Sequence, residues 1–418
     1  MNTAPINIDR LSARIEAISR FTLPDVPWTR RAFTPLFLEA RAWLKEEFAR
    51  AGLVVTQDAA LNLIGRREGT KAGAKPLIIG SHCDTVVGGG RFDGILGVLA
   101  GLEVAQTLHE QKVQLAHPFE LIDFLSEEPS DYGISCVGSR AFSGVLKADM
   151  LASCNAEGET LAEAIRRCGG NPEVLTQPLR APGSSAAYLE LHIEQGPVLE
   201  TRQIPIGVVT DIVGIRRVMI TLEGRADHAG TTPMDLRHDA LVGAAQVIEA
   251  CYRLASEMNG NPHYVVATIG RIAVTPNAAN AVPGKAELTL EVRSNDAAVL
   301  ACFPETLVGR VTDTLPGLGV TLSYKALSNA LPTPCSPVVM QAIESAADAL
   351  GYAKLNMTSG AGHDAVYVAP TGPIGMIFIP CRGGRSHCPE EWSDPQAVLD
   401  GTRVLYQALL GLDKTLAG

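Results

Sequence analysis

The most constraining feature of the sequence is an alternation of strand and helix patterns between residues 76 and 128. An apolar run, PLIIGSHCDTVV, is followed by a glycine-rich turn, GGGRFDG, and then by a helical pattern over residues 95–111. A second apolar run, FELIDFLSEE, follows that helix. Buried strands that alternate with helices are typical of a sheet covered by helices on its faces. The sequence therefore predicts an α/β fold with polar residues collected at strand ends.

A different pattern begins near residue 213, where strands and helices follow one another in the order β-α-β-β-α-β. That order predicts a ferredoxin-like unit inserted into the first domain. Because the 418 residues exceed the roughly 250 to 300 at which one hydrophobic core usually stops growing, two domains are expected. We predict a catalytic domain over residues 1–212 and 329–418 and an inserted domain over residues 213–328.

Charge and hydropathy exclude several classes of partner. A net charge of -10 argues against binding to nucleic acid or to an anionic membrane. The N-terminus lacks a signal-like apolar segment, and no apolar run approaches the ~20 residues that span a bilayer. We therefore expect a cytoplasmic protein. Nine cysteines without a CxxC pair predict free thiols.

The first candidate site residues flank the glycine-rich turn. His82 and Asp84 lie two positions apart on a predicted strand, so their side chains leave the same face. Asp84 is thus placed to accept a ring N–H from a metal-bound His82. A buried His–Asp hydrogen bond without a metal is the alternative. Asp93 precedes the next helix, where its carboxylate could cap the helix or bridge two cations.

Further candidates follow other strand patterns. Glu127 and Glu128 come after an apolar run, and carboxylates in such a place need cations or each other. His192 lies in AYLELHIEQGP and His387 in GGRSHCP. Each histidine alone is more often structural than a ligand. Together with Asp93 and one glutamate, however, three imidazoles suit zinc, and a bridging carboxylate would let two ions share a water molecule.

Other catalytic motifs are absent from the sequence. GGGRFDG does not match the GxGxxG register of a dinucleotide-binding loop, and Arg91 and Phe92 would crowd a pyrophosphate. There is no P-loop, HExxH helix or GxSxG elbow, so single-zinc protease and serine hydrolase functions lose their main support.

Seven segments in order resemble the hydantoinase/carbamoylase-type amidases. This family includes N-carbamoyl-L-amino acid hydrolases, allantoate amidohydrolases and β-ureidopropionases, within the di-zinc aminoacylase and carboxypeptidase superfamily. The segments are GSHCDTVVGGGRFDG, the Glu127-Glu128 pair, ELHIEQGPVLE, GRADHAGTTPM, PNAANAVPG, SGAGHDA and SHCPEE. The resemblance covers nearly the whole chain and implies a di-zinc aminopeptidase/carboxypeptidase-like catalytic domain.

The resemblance also implies a metal centre with two Zn²⁺ ions per subunit, or Mn²⁺ or Co²⁺ in their place. The implied ligands are His82 and His192 at one ion, Glu128 and His387 at the other, and Asp93 as the bridge. Glu127 would then be the general base that takes a proton from the bridging water and returns it to the leaving nitrogen.

For the inserted domain, the resemblance implies a role in dimerisation and as a lid. His228 of one subunit of a homodimer would polarise the scissile carbonyl in the partner's site. Asn280 and Arg293 would hold the substrate carboxylate, and Gln195 and His363 are implied to line the pocket. Judged alone, His228 lies in a turn and Arg293 at a strand end, where both are normally solvated. An acidic protein that binds an anion nevertheless needs a fork-shaped donor such as arginine.

The implied reaction cleaves the ureido C–N bond of N-carbamoyl-L-amino acids to amino acid, ammonia and carbon dioxide. Hydrolysis of allantoate or another ureide with a carboxylate is the first alternative. The second is a non-catalytic, metal-stabilised binding protein, which would have no use for Glu127. Related sequences commonly carry EEGSRF where this chain has EEPSDYG, so Pro129, Asp131 and Tyr132 replace residues that are expected to border the site.

Overall fold

A computed structural model describes residues 5–260 and 262–417, and the chain divides into two units. One unit holds the chain up to Thr210 and again from Cys335, and the other spans Asp211–Pro334. The sequence placed the second boundary six residues earlier, after residue 328. The inserted unit is longer because its last strand continues to Ala330, which still pairs with Ile215.

The helix predicted over residues 95–111 forms at Ile95–Glu110. The helix Pro35–Arg50 begins where the side chain of Thr34 accepts a hydrogen bond from the N–H of Phe37 and so caps it. The helices are α1 (Ile8–Ser19), α2 (Pro35–Arg50), α3 (Ile95–Glu110), α4 (Val137–Ser143), α5 (Ala148–Leu151), α6 (Leu161–Arg167), α7 (Val198–Arg202), α8 (Ala240–Met258), α9 (Ala297–Val311), α10 (Pro337–Leu350), α11 (Asp364–Val368) and α12 (Pro395–Ala417).

The strands belong to one large sheet, one smaller sheet and a short two-stranded ladder in the described residues. They are β1 (Val54–Gln57), β2 (Leu63–Arg67), β3 (Leu77–His82), β4 (Phe119–Phe124), β5 (Ala187–Ile193), β6 (Ile206–Ile212), β7 (Gly214–Glu223), β8 (Asp227–His228), β9 (Val265–Thr275), β10 (Ala281–Val282), β11 (Lys285–Ser294), β12 (Thr321–Ala330), β13 (Thr333–Pro334), β14 (Lys354–Ser359) and β15 (Ile374–Ile379).

The large sheet has the order β1-β2-β4-β3-β5-β15-β6-β13, with β14 also paired to β6. Its centre, β4-β3-β5-β15, is parallel. Every residue of these four strands is buried, as expected for parallel strands that are covered on both faces. Because parallel strands end at the same edge, the loops after them converge on one place.

The inserted unit contains a four-stranded antiparallel sheet of order β12-β7-β11-β9 within the residues described. Burial alternates along β11, and the buried positions pack with α8 and α9 in a separate apolar core. Alternation of this kind places one face of the sheet on the helices. The succession β7-α8-β9-β11-α9-β12 agrees with the predicted β-α-β-β-α-β order.

Two strands are shorter than the sequence suggested. β4 ends at Phe124, and Ser126 then has a left-handed backbone with φ 51°, so Glu127 and Glu128 lie in the loop that follows. β3 ends at His82, which leaves Asp84 outside the strand. The alternation of side chains along a strand, which predicted that His82 and Asp84 share one face, therefore does not apply to this pair.

The helices and the cysteines agree with two further expectations from the sequence. None of the helices in the described ranges is long and apolar enough to cross a bilayer. All nine cysteines lie in those ranges and are free thiols, as the sequence predicted.

Candidate metal centre

The carboxyl edge of the parallel strands carries a cluster of histidines and carboxylates. His82 ends β3, His192 lies near the end of β5, and Asp93 sits in the glycine-rich loop that leads to α3. All three are buried. The structure therefore brings residues that are distant in sequence to one edge of the sheet.

Asp93 is the centre of this cluster. Its Oδ1 lies 3.2 Å from His192 Nε2 and 3.9 Å from His82 Nε2. Its Oδ2 lies 3.0 Å from His387 Nε2. The two carboxylate oxygens thus face different histidines. No side chain caps α3, whose N-cap is Gly94. Of the two roles that the sequence allowed for Asp93, capping this helix is therefore excluded.

Glu128 completes the second half of the cluster, with Oε1 3.0 Å from His387 Nε2. In the described residues, potential ligand atoms form three groups, each within 4.8 Å, and two of the groups share Asp93. These two are His82, Asp93 and His192, and Asp93, Glu128 and His387; the third is Glu190, His192 and His363. The resemblance implies the same residues as the two ligand sets, and their role as ligands stays a prediction. The His387 side chain is 49% exposed, so this half of the cluster is the accessible one.

Glu127 stands beside the two groups without belonging to either. Its Oε2 lies 3.6 Å from His82 Nε2, and its Oε1 accepts a hydrogen bond from the thiol of Cys136 at 3.3 Å. Cys136, in the segment GISCVG, was not identified from the sequence, because a lone cysteine twelve residues after the end of β4 carries no recognisable pattern.

Asp84 supports the cluster differently from the prediction. Its two carboxylate oxygens accept the backbone N–H groups of Glu127 and Glu128, each at 3.1 Å. His82 Nδ1 lies 3.1 Å from the backbone oxygen of Asp84 but 3.6 Å from its carboxylate. The carbonyl is therefore the nearer partner of the imidazole, and the carboxylate orients the loop of the two glutamates.

The second nitrogen of each buried histidine is held by main chain. His192 Nδ1 lies 2.8 Å from the carbonyl oxygen of Ile193, in the same way that His82 contacts Asp84. Donation from Nδ1 to a carbonyl leaves Nε2 as the ligand atom, and such outer contacts commonly orient metal-binding histidines. Both Nε2 atoms face Asp93.

The glycine-rich loop is shaped by close approach of side chains. Gly94 has φ 64°, and a Cβ there would lie 2.2 Å from His82 Nε2. A Cβ on Gly90 would lie 1.9 Å from Cδ of Glu391. These two glycines therefore make room for side chains of the cluster, a reason that differs from the phosphate binding of GxGxxG loops.

Burial and charge alter the ionisation of the cluster. Burial raises the pKa of Glu127 well above its usual value, and the neighbouring Glu128 adds to the shift. Burial opposes protonation of His82, but the carboxylates of Glu127, Asp84 and Asp93 outweigh it and raise the pKa. Hydrogen bonds to Asp93 and Glu128 raise the pKa of His387 to about 11. The site thus favours positive charge at its centre.

The two predicted pocket residues of the same unit also lie near the cluster. Gln195, with φ 57°, donates from Nε2 to Asp93 Oδ2 at 3.2 Å. The His363 ring centroid lies 4.7 Å from that of His192, and its Nε2 lies 2.9 Å from Ser359 Oγ. Burial, together with His192, lowers the pKa of His363, which favours the neutral imidazole.

The unusual EEPSDYG segment makes contacts of its own. Asp131 pairs with Arg31 at 2.8 Å, and the Tyr132 hydroxyl donates to Glu159 at 2.5 Å. The negative charge of Asp131 is therefore balanced by Arg31, and the buried Tyr132 also packs edge-on against Phe33.

Within the inserted unit, the three predicted substrate residues divide into two places. His228 in β8 pairs with Ala281 in β10, and the N–H of Ala229 donates to the carbonyl of Asn280 at 2.9 Å. His228 and Asn280 are exposed neighbours. Asn280 precedes the first residue of β11, whereas Arg293 lies near the last residue of that strand. The guanidinium of Arg293 pairs with Glu291 at 2.8 Å.

Comparison with known proteins identifies the family. The model of Peptidase family M20/M25/M40 matches residues 78–411, which include all the residues of the cluster. The chain belongs to this family. Membership makes it a hydrolase of carbon–nitrogen bonds and implies a dinuclear metal site, and the structure shows two candidate ligand groups that share Asp93.

Three relatives extend the comparison. N-carbamoyl-L-amino acid amidohydrolase of Geobacillus stearothermophilus is 42% identical over 381 residues, 91% of this chain and 92% of the relative. Allantoate amidohydrolase of Escherichia coli is 34% identical over 388 residues, 92% of each chain. An amidase of the hydantoinase/carbamoylase family from Burkholderia multivorans has a TM-score of 0.90 at 35% identity, covering 98% of both chains. The resemblance inferred from the sequence is confirmed.

The chemistry of the donor set fits divalent cations. Imidazole nitrogens with carboxylates are the ligands that zinc prefers, and one carboxylate shared between two groups is suited to a pair of ions. The carboxylates that favour protonated histidines would equally favour a cation, which displaces those protons on binding. Metal affinity and proton release should therefore be coupled.

Substitution of Gly94 tests the packing around His82. We expect Gly94→Ala to displace His82, because its Cβ meets the imidazole, and to lower metal occupancy below two ions per subunit. Gly88→Ala is the matched control: Gly88 also has a left-handed backbone, φ 60°, but its Cβ would approach no described atom closer than 3.8 Å. Both substitutions place a side chain at a positive φ, which strains the backbone of an L-residue. Equal metal contents, measured by elemental analysis, would contradict this prediction.

Proposed function

We propose that the protein is a two-zinc amidohydrolase that cleaves the ureido C–N bond of N-carbamoyl-L-amino acids. The observation that carries the proposal is a largely enclosed carboxylate, that of Glu127, whose side chain is 12% exposed and lies beside two ligand groups that share Asp93. A structural metal site needs ligands alone, whereas a hydrolytic site also needs a base near the reacting water. This arrangement disfavours a silent binding protein.

In this proposal, His82 and His192 would hold one ion, Glu128 and His387 would hold the other, and Asp93 would be shared between them. Zinc suits this donor set, and Mn²⁺ or Co²⁺ are the alternatives. Two bound cations would supply Lewis acidity and lower the pKa of a water molecule toward neutrality. The exposed side of His387 leaves the second group open to a substrate.

Glu127 is proposed to move the proton. It would accept a proton from the attacking water and deliver it to the leaving nitrogen, so that ammonia leaves as a neutral molecule. The hydrogen bonds of Asp84 to the N–H groups of Glu127 and Glu128 hold base and ligand in one loop. With an N-carbamoyl amino acid, the products are the amino acid, ammonia and carbon dioxide.

Sequence identity to the relatives supports N-carbamoyl-L-amino acids as the substrate class. The N-carbamoyl-L-amino acid amidohydrolase is 42% identical to this chain, against 34% for the allantoate amidohydrolase. Allantoate is the second candidate, since that relative carries it in its name. Both substrates offer a ureido carbonyl for attack and a carboxylate for binding.

The substrate carboxylate is proposed to bind the inserted unit. Arg293 provides a planar guanidinium that can pair with a carboxylate through two hydrogen bonds. Asn280 and His228 are proposed as partners of the same substrate, His228 at the scissile carbonyl. Gln195 and His363 are proposed to line the pocket on the side of the metal centre.

A distance within the inserted unit supports the proposed homodimer, and the role of this unit as a lid stays a prediction. β7 ends at Glu223, which pairs with Lys285, and His228 follows that end of the sheet. Arg293 lies eight residues along β11 from Lys285, or about 26 Å at ~3.3 Å per residue. That span is longer than a small ureide. If Arg293 and His228 both contact one substrate, they come from different copies of the chain.

Substitution of the base tests the proposal most sharply. Glu127→Gln should lower kcat by about 10²- to 10⁴-fold while metal content stays near two ions per subunit, because Glu127 is not a ligand. Glu128→Gln, one residue away, should lose metal instead. Activity is measured as ammonia release by metal-loaded protein from N-carbamoyl-L-amino acids, allantoate and ureidoglycolate. Loss of metal in Glu127→Gln would show that the two glutamates are assigned in the wrong order.

A second substitution tests the carboxylate site. Arg293→Ala should raise KM about 10- to 100-fold, the effect of losing hydrogen bonds to a charged group. Arg217→Ala is the matched control, since Arg217 pairs with the same Glu291, at 2.6 Å, from the neighbouring strand. Its KM should stay within about twofold of wild type. Equal effects in the two variants would remove Arg293 from the substrate site.

Subunit mixing tests the role of His228. His228→Ala and Glu127→Gln dimers should each be nearly inactive. After exchange at equal concentrations, half of the dimers are mixed and contain one complete site, so activity should return to about a quarter of wild type. Subunit exchange is verified by native mass spectrometry. Exchange without recovered activity would mean that His228 does not serve the partner's site.

A further inference from the structure

Glu391 is a buried carboxylate that the roles described above do not use. It is 1% exposed and follows the loop that carries His387. The sequence offers a weak signal for it, since it ends the segment SHCPEE, where its neighbour Glu390 is exposed. A buried charge in this position needs a reason, because an apolar side chain would fill the same space at lower cost.

The contacts of Glu391 lead to Asp93. Its Oε1 accepts the backbone N–H groups of Phe92 at 2.8 Å and of Asp93 at 3.0 Å. Its Oε2 accepts the hydroxyl of Ser386 at 2.7 Å. That hydroxyl lies 3.5 Å from Asp93 Oδ2 and receives a hydrogen bond from Gln195 at 3.2 Å. Glu391 therefore holds the backbone of Asp93 and, through Ser386, one side of its carboxylate.

These hydrogen bonds also join two loops of the metal centre. Phe92 and Asp93 belong to the glycine-rich loop, whereas Ser386 precedes His387 in a loop almost 300 residues later in the chain. The glycine-rich loop accommodates this contact through Gly90, where a Cβ would overlap the Glu391 carboxylate. One carboxylate thus fixes the loop of the shared ligand against the loop of a second ligand.

We propose that Glu391 is a positioning residue that orients Asp93 toward both metal sites. The inference rests on the two-metal function proposed above. Hydrogen bonds to an ionised acceptor are about twice as strong as neutral ones, so the carboxylate restrains the loop more firmly than an amide would. Loss of an outer partner of a metal ligand typically weakens metal binding 10- to 100-fold.

The test is a titration of metal-free protein with Zn²⁺ in the presence of a competing chelator. Glu391→Gln keeps one oxygen for the two N–H groups, so we expect Zn²⁺ binding about tenfold weaker; Glu391→Ala keeps none and should approach a hundredfold. If the alanine variant does not fold, the glutamine variant decides alone. Glu390→Gln, which removes the same charge from the adjacent exposed residue, should bind Zn²⁺ like the wild type.

The thermal midpoint of the metal-free proteins separates positioning from folding. We expect the same midpoint for wild type and Glu391→Gln before metal is added. Unchanged Zn²⁺ binding in Glu391→Gln would overturn the proposal, as would equal weakening in Glu390→Gln or a lower metal-free midpoint that accounts for the loss. Wild-type protein that binds fewer than two Zn²⁺ would instead contradict the two-metal function itself.

Discussion

The structure of the catalytic unit depends on one buried carboxylate placed among three imidazoles. Asp93 faces His82 and His192 with one oxygen and His387 with the other. Such a group is costly in a protein interior unless positive charge compensates it. Burial opposes ionisation of Asp93, yet hydrogen bonds to the histidines hold its pKa well below the usual value. The surrounding loops, glycines and carboxylates bring the positive charge that balances Asp93 to the carboxylate of this residue.

The parallel sheet explains why the compensation is possible. Its central strands are buried on both faces and end at one edge, so their loops supply side chains from residues 82 to 387 to a common place. Apolar strands provide the rigid frame, and the carboxylates of Asp84 and Glu391 hold the loops that leave it by accepting hydrogen bonds from their backbone N–H groups. Each strand end supplies only one or two potential ligands, and the cation site arises because the sheet holds these ends together.

Much of this was predictable from the sequence, and the remainder has physical reasons. Apolar runs and helical periodicity were sufficient for the α/β fold and the inserted β-α-β-β-α-β unit. The hydrogen-bond partners of Asp84 could not be predicted in this way, because β3 and β4 end early and Ser126 adopts a left-handed backbone conformation. Glu391 was missed because its contacts join loops that are far apart in sequence. Strand periodicity predicts which face a side chain occupies, but it says nothing about loops.

We propose that Asp93 is shared between two metal ions. Anomalous X-ray scattering at the zinc edge from crystals of the metal-loaded protein would locate the ions. We expect two peaks on either side of Asp93, one next to His82 and His192 and the other next to Glu128 and His387. A single peak, or a pair of peaks in which Asp93 contacts only one, would contradict this proposal.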